Sequence, residues 1–180
     1  MHYIELWADR NPEIEEINLK IEEPKKIPTV DDPKWTGNFK DDPEEILLTR
    51  LVFGEARNQP QEAKIWITWS VINRIEAKAW PNTLYEVILQ PKQYDPFKPT
   101  DLNYSKIIDP LREADFQTIQ SWKECYKIAK IAVNKEIENP TLATHFHGIG
   151  VSMEWFEKNV VPNGNFLKKI GDTYFYWSPN

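Results

Sequence analysis

The spacing of hydrophobic and polar positions predicts a chain that is mostly helical, with a short sheet near its end. Asp42-Pro43-Glu44-Glu45 has the composition of a helix start: Asp42 is placed to cap, Pro43 suits the first helical position, and the two glutamates favour the positive end of the dipole. Ile46, Leu47, Leu51, Val52 and Phe53 supply the apolar side as far as Ala56. Asn58-Gln59-Pro60 breaks the pattern, and Pro60 opens a second helix to about Ala79, with Ile65, Trp69 and Ile72 as its buried stripe and Trp66 and Ile75 alongside. Thr83 and Glu86 form a capping box before a short helix that ends near Gln90-Pro91. Residues 92–111 are proline-rich and irregular, long enough for a binding loop.

A strong helix is predicted over residues 115–138, where Phe116, Ile119, Trp122, Tyr126, Ala129, Val133 and Ile137 recur every third or fourth position. Asn139-Pro140 stops it. Residues 142–147 read as a strand, and Ser152 caps a short helix to Asn159. Two further strands, over residues 166–170 and 173–177, flank Gly171-Asp172, a two-residue hairpin turn with glycine first. The expected class is α+β: a helical domain over residues 44–180 with a small antiparallel sheet near the C-terminus.

Residues 1–43 look different. Pro12, Pro24, Pro28, Pro33 and Pro43, clustered charge and few large aliphatics predict an acidic, proline-rich arm, with Trp7, Trp35 and Phe39 as isolated anchors. The charge divides at the same place. The net −6 of the chain comes from 13 acidic and 6 basic residues in positions 1–45, against 15 acidic and 16 basic residues in the rest. No basic stripe suggests nucleic acid, and an acidic chain gains no attraction to anionic membranes. Cys125 is the one cysteine, so no internal disulfide forms, and its helical position marks it as a small core residue. No apolar run approaches the ~18 residues of a membrane span. The first twenty residues lack a basic region followed by an apolar one, so the chain reads as synthesised in a cytoplasm without a signal peptide.

Glu55 is the residue that chemistry singles out. A carboxyl at the end of an apolar run, before a turn and a tryptophan-rich helix, is in the setting that keeps an acid protonated near neutral pH, as glycoside cleavage requires. Aromatic residues make up 13% of the chain, which suits either a bulky core or a cleft with stacking platforms for sugars. Trp66, Trp69 and Trp80 are open to both readings. Glu62 is the nearest second carboxylate, and equally an ordinary first-turn helix acid. His145 and His147 share a strand face and could hold one metal ion, making a zinc amidase or peptidase, but hydrogen bonding explains the pair as well.

Five segments in order resemble the SleB-type cell wall hydrolases, the family of spore cortex-lytic enzymes and some phage lysins. Residues 50–57 (RLVFGEAR) resemble the family's "(A)RLIYAEARGE". The likeness runs ungapped through Pro60, Glu62 and Val71-Ile72-Asn73-Arg74. Pro81-Asn82-Thr83, Val87-Ile88 and Gln90-Pro91-Lys92-Gln93-Tyr94 are similar to "FPNTxxxVIxQPxQF". Residues 143–147 (ATHFH), with Val151-Ser152 and Trp155, resemble "ATHYHxxxVSPxWA", and residues 170–176 resemble the closing "IGNHxFY". Asn58-Gln59 stand where the family usually has Gly-Glu, Met153 where it has proline, and Thr173 where it often has histidine.

The resemblance implies a lysozyme-like domain that cleaves peptidoglycan glycan strands between N-acetylmuramic acid and N-acetylglucosamine. It implies Glu55 as the catalytic acid, by lytic transglycosylase or muramidase chemistry and without a cofactor. Gln90, Gln93, Tyr94, His145, Trp155 and Tyr176 are the expected substrate-binding residues. A cell-wall substrate and no signal peptide lead to a monomeric phage lysin, either freed by a holin-type partner or carried among virion proteins, with a non-catalytic wall-binding virion protein as the other class.

Overall fold

The computed structural model describes residues 26–179. Its helices are α1 (Glu44–Ala56), α2 (Gln61–Glu76), α3 (Leu84–Ile88), α4 (Tyr104–Ile108), α5 (Phe116–Val133) and α6 (Met153–Asn159), and its strands are β1 (His145–Gly148), β2 (Asn165–Ile170) and β3 (Thr173–Trp177). The class is the expected one, a mostly helical body with a three-stranded antiparallel sheet near the C-terminus, in the order β1-β3-β2.

α1 is buried almost all round: Leu47, Leu48, Leu51, Val52 and Phe53 are fully inside, packed chiefly against α5. α2 departs from its predicted stripe. Ile67 and Val71 are fully buried while Ile65 and Trp66 are only half covered, because α2 is sandwiched between α5, α3 and the sheet. α5 presents Trp122, Cys125, Ile128, Ala129 and Ala132 to this core, and Phe116 lies exposed. The helix stops at Val133, short of the predicted Glu138, where Lys135 takes a left-handed φ of +53°. Leu142 and Val151 are both exposed, and the first strand shortens to His145–Gly148.

The described part of the segment before α1 lies along the helical body, with Trp35 and Phe39 among its anchors. The indole N–H of Trp122 donates to the carbonyl of Val30 at 2.8 Å, and Trp35 N–H donates to the Ile108 carbonyl at 2.8 Å. Phe39 stacks on Trp35 and meets Phe97 edge-on, with centroids 5.0 and 4.9 Å apart. Asp42 does not cap α1. It is buried against Arg50, which holds both its oxygens at 2.7 and 3.0 Å and also donates to the carbonyls of Pro33 and Ile107. Trp7 lies outside the described residues.

The loop over residues 92–111 is more regular than its prolines suggest. It holds a 3-10 turn, Asp95–Phe97, and the one-turn-and-a-half helix α4. The turn presses on α1 at Gly54. A Cβ there would lie 2.6 Å from Pro96 Cβ and 2.9 Å from Ile107 Cγ2, so only glycine lets this segment close over the end of the helix. That contact brings Tyr94 and Asp95 beside the next residue, Glu55.

Candidate active site

Glu55 sits half-buried in the last turn of α1, at one wall of a cleft of about 490 Å³. Burial pushes its carboxyl up to about 7, helped by the negative charges of Asp95 and Asp101 and opposed by Lys98. The helix end adds to this in principle, since the dipole is negative there and disfavours an anion. A group at about 7 is a proton donor and a proton acceptor at the same working pH.

The cleft is lined as well by Gln93, Tyr94 and Asp95, by Asp172, Thr173 and the Gly148–Val151 loop, and by Arg74 and His147. Arg74 ties the parts together. Its Nε donates to the Thr144 carbonyl at 2.5 Å, ahead of β1, and its Nη1 donates to Tyr94 Oη at 2.8 Å and to Gln93 Oε1 at 3.2 Å. The guanidinium also lies 4.2 Å from the Trp80 ring centroid. Burial raises the Tyr94 phenol above its ordinary value. The ring Nδ1 of His147 donates to the Gly148 carbonyl at 2.8 Å, and its Nε2 lies 3.4 Å from Tyr176 Oη.

The structure gathers Glu55, Gln93 and Tyr94 of the sequence-derived residues. The other four lie elsewhere. Gln90 lines a separate hollow with Lys40, Tyr85 and Leu89, because the α3 end turns it away from the α1 corner. His145 is buried against Trp80, its centroid 5.5 Å away, and desolvation lowers it to about 4, so it is neutral at working pH. Tyr176 is fully buried under α6 with Phe156 and Val161, its phenol pushed up to about 12. Trp155 is 56% exposed on α6 and does not line the cleft. The three tryptophans in question also stay out of it. Trp69 is core, Trp66 packs on Phe175, and Trp80 covers Arg74.

Glu62, the candidate second acid, is paired with Lys168 at 2.6 Å and does not line the cleft. The carboxylates that do share the cleft are Asp95 and Asp172. His145 and His147 have different neighbours, Trp80 for the first and Tyr174, Tyr176 and Phe156 for the second. Among the described residues no three His, Cys, Asp or Glu side chains are grouped to hold a metal ion. Asp95, Arg74 and Asp172 are cleft residues that sequence reasoning passed over, and His147 was weighed there only as a metal ligand. The motif segments contained the last three, but only the fold shows which of their side chains face Glu55.

A family model described as Cell Wall Hydrolase matches residues 58–176 of this chain. The chain belongs to the cell wall hydrolase family. The matched span contains every described cleft residue except Glu55, which precedes it. Among curated proteins, this cell wall hydrolase is 30% identical over 76 residues to the spore cortex-lytic enzyme of Bacillus subtilis (strain 168), covering 42% of this chain and 25% of that protein. It is 28% identical over 76 residues to the spore cortex-lytic enzyme of Oceanobacillus iheyensis, covering 42% and 27%. The matched segment thus spans about a quarter of the length of these relatives. Among solved structures, the catalytic domain of the Bacillus cereus SleB protein superposes with a TM-score of 0.48 at 18% identity, over 73% of this chain and 88% of that one. The catalytic domain of the germination-specific lytic transglycosylase SleB from Bacillus anthracis gives 0.49 and 18%, over 73% and 92%. No described helix is long and apolar enough to cross a membrane.

Proposed function

We propose that this cell wall hydrolase cuts the glycan strands of peptidoglycan between N-acetylmuramic acid and N-acetylglucosamine, as a lytic transglycosylase with Glu55 as its acid and then its base. The observation that carries the reading is the carboxyl of Glu55, held near 7 by burial at the wall of an open cleft. In the first step the Glu55 proton goes to the glycosidic oxygen as its bond to muramoyl C1 breaks, and the N-acetylglucosamine end leaves as an alcohol. In the second, the Glu55 carboxylate takes the proton of the muramoyl 6-hydroxyl while that oxygen bonds to C1, closing a 1,6-anhydro ring and restoring the acid. No water is consumed, so one carboxyl suffices. A two-carboxylate hydrolase needs a partner at about 5–5.5 Å or about 6.5–9.5 Å, and the Glu62–Lys168 pair makes Glu62 a poor candidate.

Gln93, Tyr94 and His147 offer the polar contacts a sugar polymer needs, with Arg74 fixing the first two. Digestion of purified peptidoglycan followed by mass spectrometry tests the proposal. Anhydromuramic ends are expected. New reducing ends would mean hydrolysis, freed peptides on intact glycan would mean an amidase, and no release at all would leave a wall-binding protein. Glu55→Gln is expected to cut turnover by about 10²–10⁴-fold, the usual contribution of a positioned acid–base group.

A further inference from the structure

The turn between β2 and β3 is fastened to the corner between α1 and α2, four residues after Glu55. Gln59 Oε1 accepts the backbone N–H of Asp172 at 3.0 Å, and Gln59 Nε2 lies 3.5 Å from the Asp172 carboxylate. The Asp172 carbonyl, on its other side, accepts the N–H of Ile149 at 3.0 Å. One residue therefore relays from the helix corner to the Gly148–Val151 loop, and Gln59, Asp172 and that loop all line the cleft. The seat is tight. Gly171 has φ +56°, and a Cβ there would lie 2.6 Å from Gln59 Oε1 and 2.8 Å from Pro60 Cδ. Other fastenings hold the sheet independently, since Lys168 pairs with Glu62 at 2.6 Å and stands 5.6 Å from the Trp66 ring.

We propose that Gln59 is a positioning residue for glycan binding: through Asp172 it sets how far the Gly148–Val151 wall stands from Glu55. The inference rests on the glycan-cleaving reading of the cleft. A side chain at 59 that accepts one hydrogen bond and offers another keeps the wall in register, and a wall out of register weakens the grip on the sugar chain more than it alters proton transfer at Glu55.

The test uses the full chain with Gln59→Leu, Gln59→Glu and the double variant Gln59→Glu/Asp172→Asn. Kinetics on soluble glycan fragments are read beside amide exchange at Ile149, which needs no activity. Gln59→Leu is expected to raise KM by about two- to tenfold, the equivalent of one hydrogen bond, with kcat nearly unchanged and Ile149 exchange faster by a similar factor. Gln59→Glu sets two carboxylates face to face and is expected to do the same or worse. Asp172→Asn in that background returns a donor to the pair and should restore both KM and exchange. Unchanged Ile149 exchange in Gln59→Leu, faster exchange without a rise in KM, or a double variant no better than Gln59→Glu would each overturn the proposal. If the wild-type chain released no glycan, the reaction would be wrong, and the exchange measurements alone would decide whether Gln59 holds the wall.

Discussion

The role proposed for Glu55 comes at a cost to the fold, and the sign of that cost is measurable. Its carboxyl titrates at about 7 in the folded chain against 4.5 for the free group, so the folded state holds the proton more tightly than the unfolded one. Stability from this group is therefore fully present below pH 4.5 and is lost as pH rises through 7. Glu55→Gln removes the ionisation, and should raise unfolding free energy at pH 8 by about 1–3 kcal/mol while changing nothing at pH 4, in paired denaturant titrations. A gain that is equal at both pH values would mean that burial is not what holds the proton. On the proposed role of Glu55, activity is expected to fall above pH 7 as the acid ionises. Asp95→Asn removes a neighbouring negative charge, so the alkaline limb of the kcat/KM profile should move to lower pH, by less than one pH unit because desolvation is the larger cause. A limb that stays in place would remove Asp95 from the electrostatics of the site. Gln59 is read differently once its partners are seen. The resemblance has a carboxylate at 59 and an amide at 172, and here the amide stands at 59 and the carboxylate at 172, with Gln59 Oε1 accepting the Asp172 N–H.

At the scale of elements, the helices were legible where burial is one-sided and less so where it is not. α5 shows its stripe because it covers one face of the body, whereas α1 and α2 are enclosed and lose their periodicity to all-round burial. The hairpin was legible from Gly171-Asp172, because a positive φ at the first turn position is a requirement that only a few residues meet. α4 was missed, being five residues between prolines, too short to show a period. Glu55 was singled out by its place at the end of an apolar run, and Gln93 and Tyr94 by the resemblance of their segment; all three line the cleft. The rest of the cleft depends on how the elements pack together: His145 and His147 share a strand face, yet the first meets Trp80 and the second lines the cleft. The Asp42–Arg50 contact was equally hidden, since Asp42 has a cap's position and an ion pair's role. It is a buried pair, and breaking it strands a charge: Asp42→Ala should cost about 3–5 kcal/mol in chemical denaturation. Asp42→Ala with Arg50→Met should recover part of that loss, and a double variant worse than the single would show that Arg50 matters mainly for the Pro33 and Ile107 carbonyls.

At the scale of the molecule, the question is where the folding unit begins. Composition puts the boundary at residue 43, since charge and proline content change there. The packing puts residues 26–43 on the helical body, held through main-chain groups that leave no mark in composition: the Val30 carbonyl on the Trp122 indole, the Pro33 carbonyl on Arg50, and the Asp42 carbonyl on the Tyr85 hydroxyl. A chain starting at residue 44 would keep every helix, strand and cleft residue. It would also leave Arg50 buried without its carboxylate and the Trp122 N–H without an acceptor, two losses worth several kcal/mol in a domain whose whole stability is about 5–15 kcal/mol. The truncated chain should therefore unfold at markedly lower denaturant than a chain starting at residue 26, and Arg50→Met in the truncated chain should win back part of the difference by removing the stranded charge. Equal midpoints for the two chains would return residues 26–43 to the role of a tail. A lower midpoint that Arg50→Met cannot improve would place the loss in the Trp35 and Phe39 aromatic contacts instead of the ion pair.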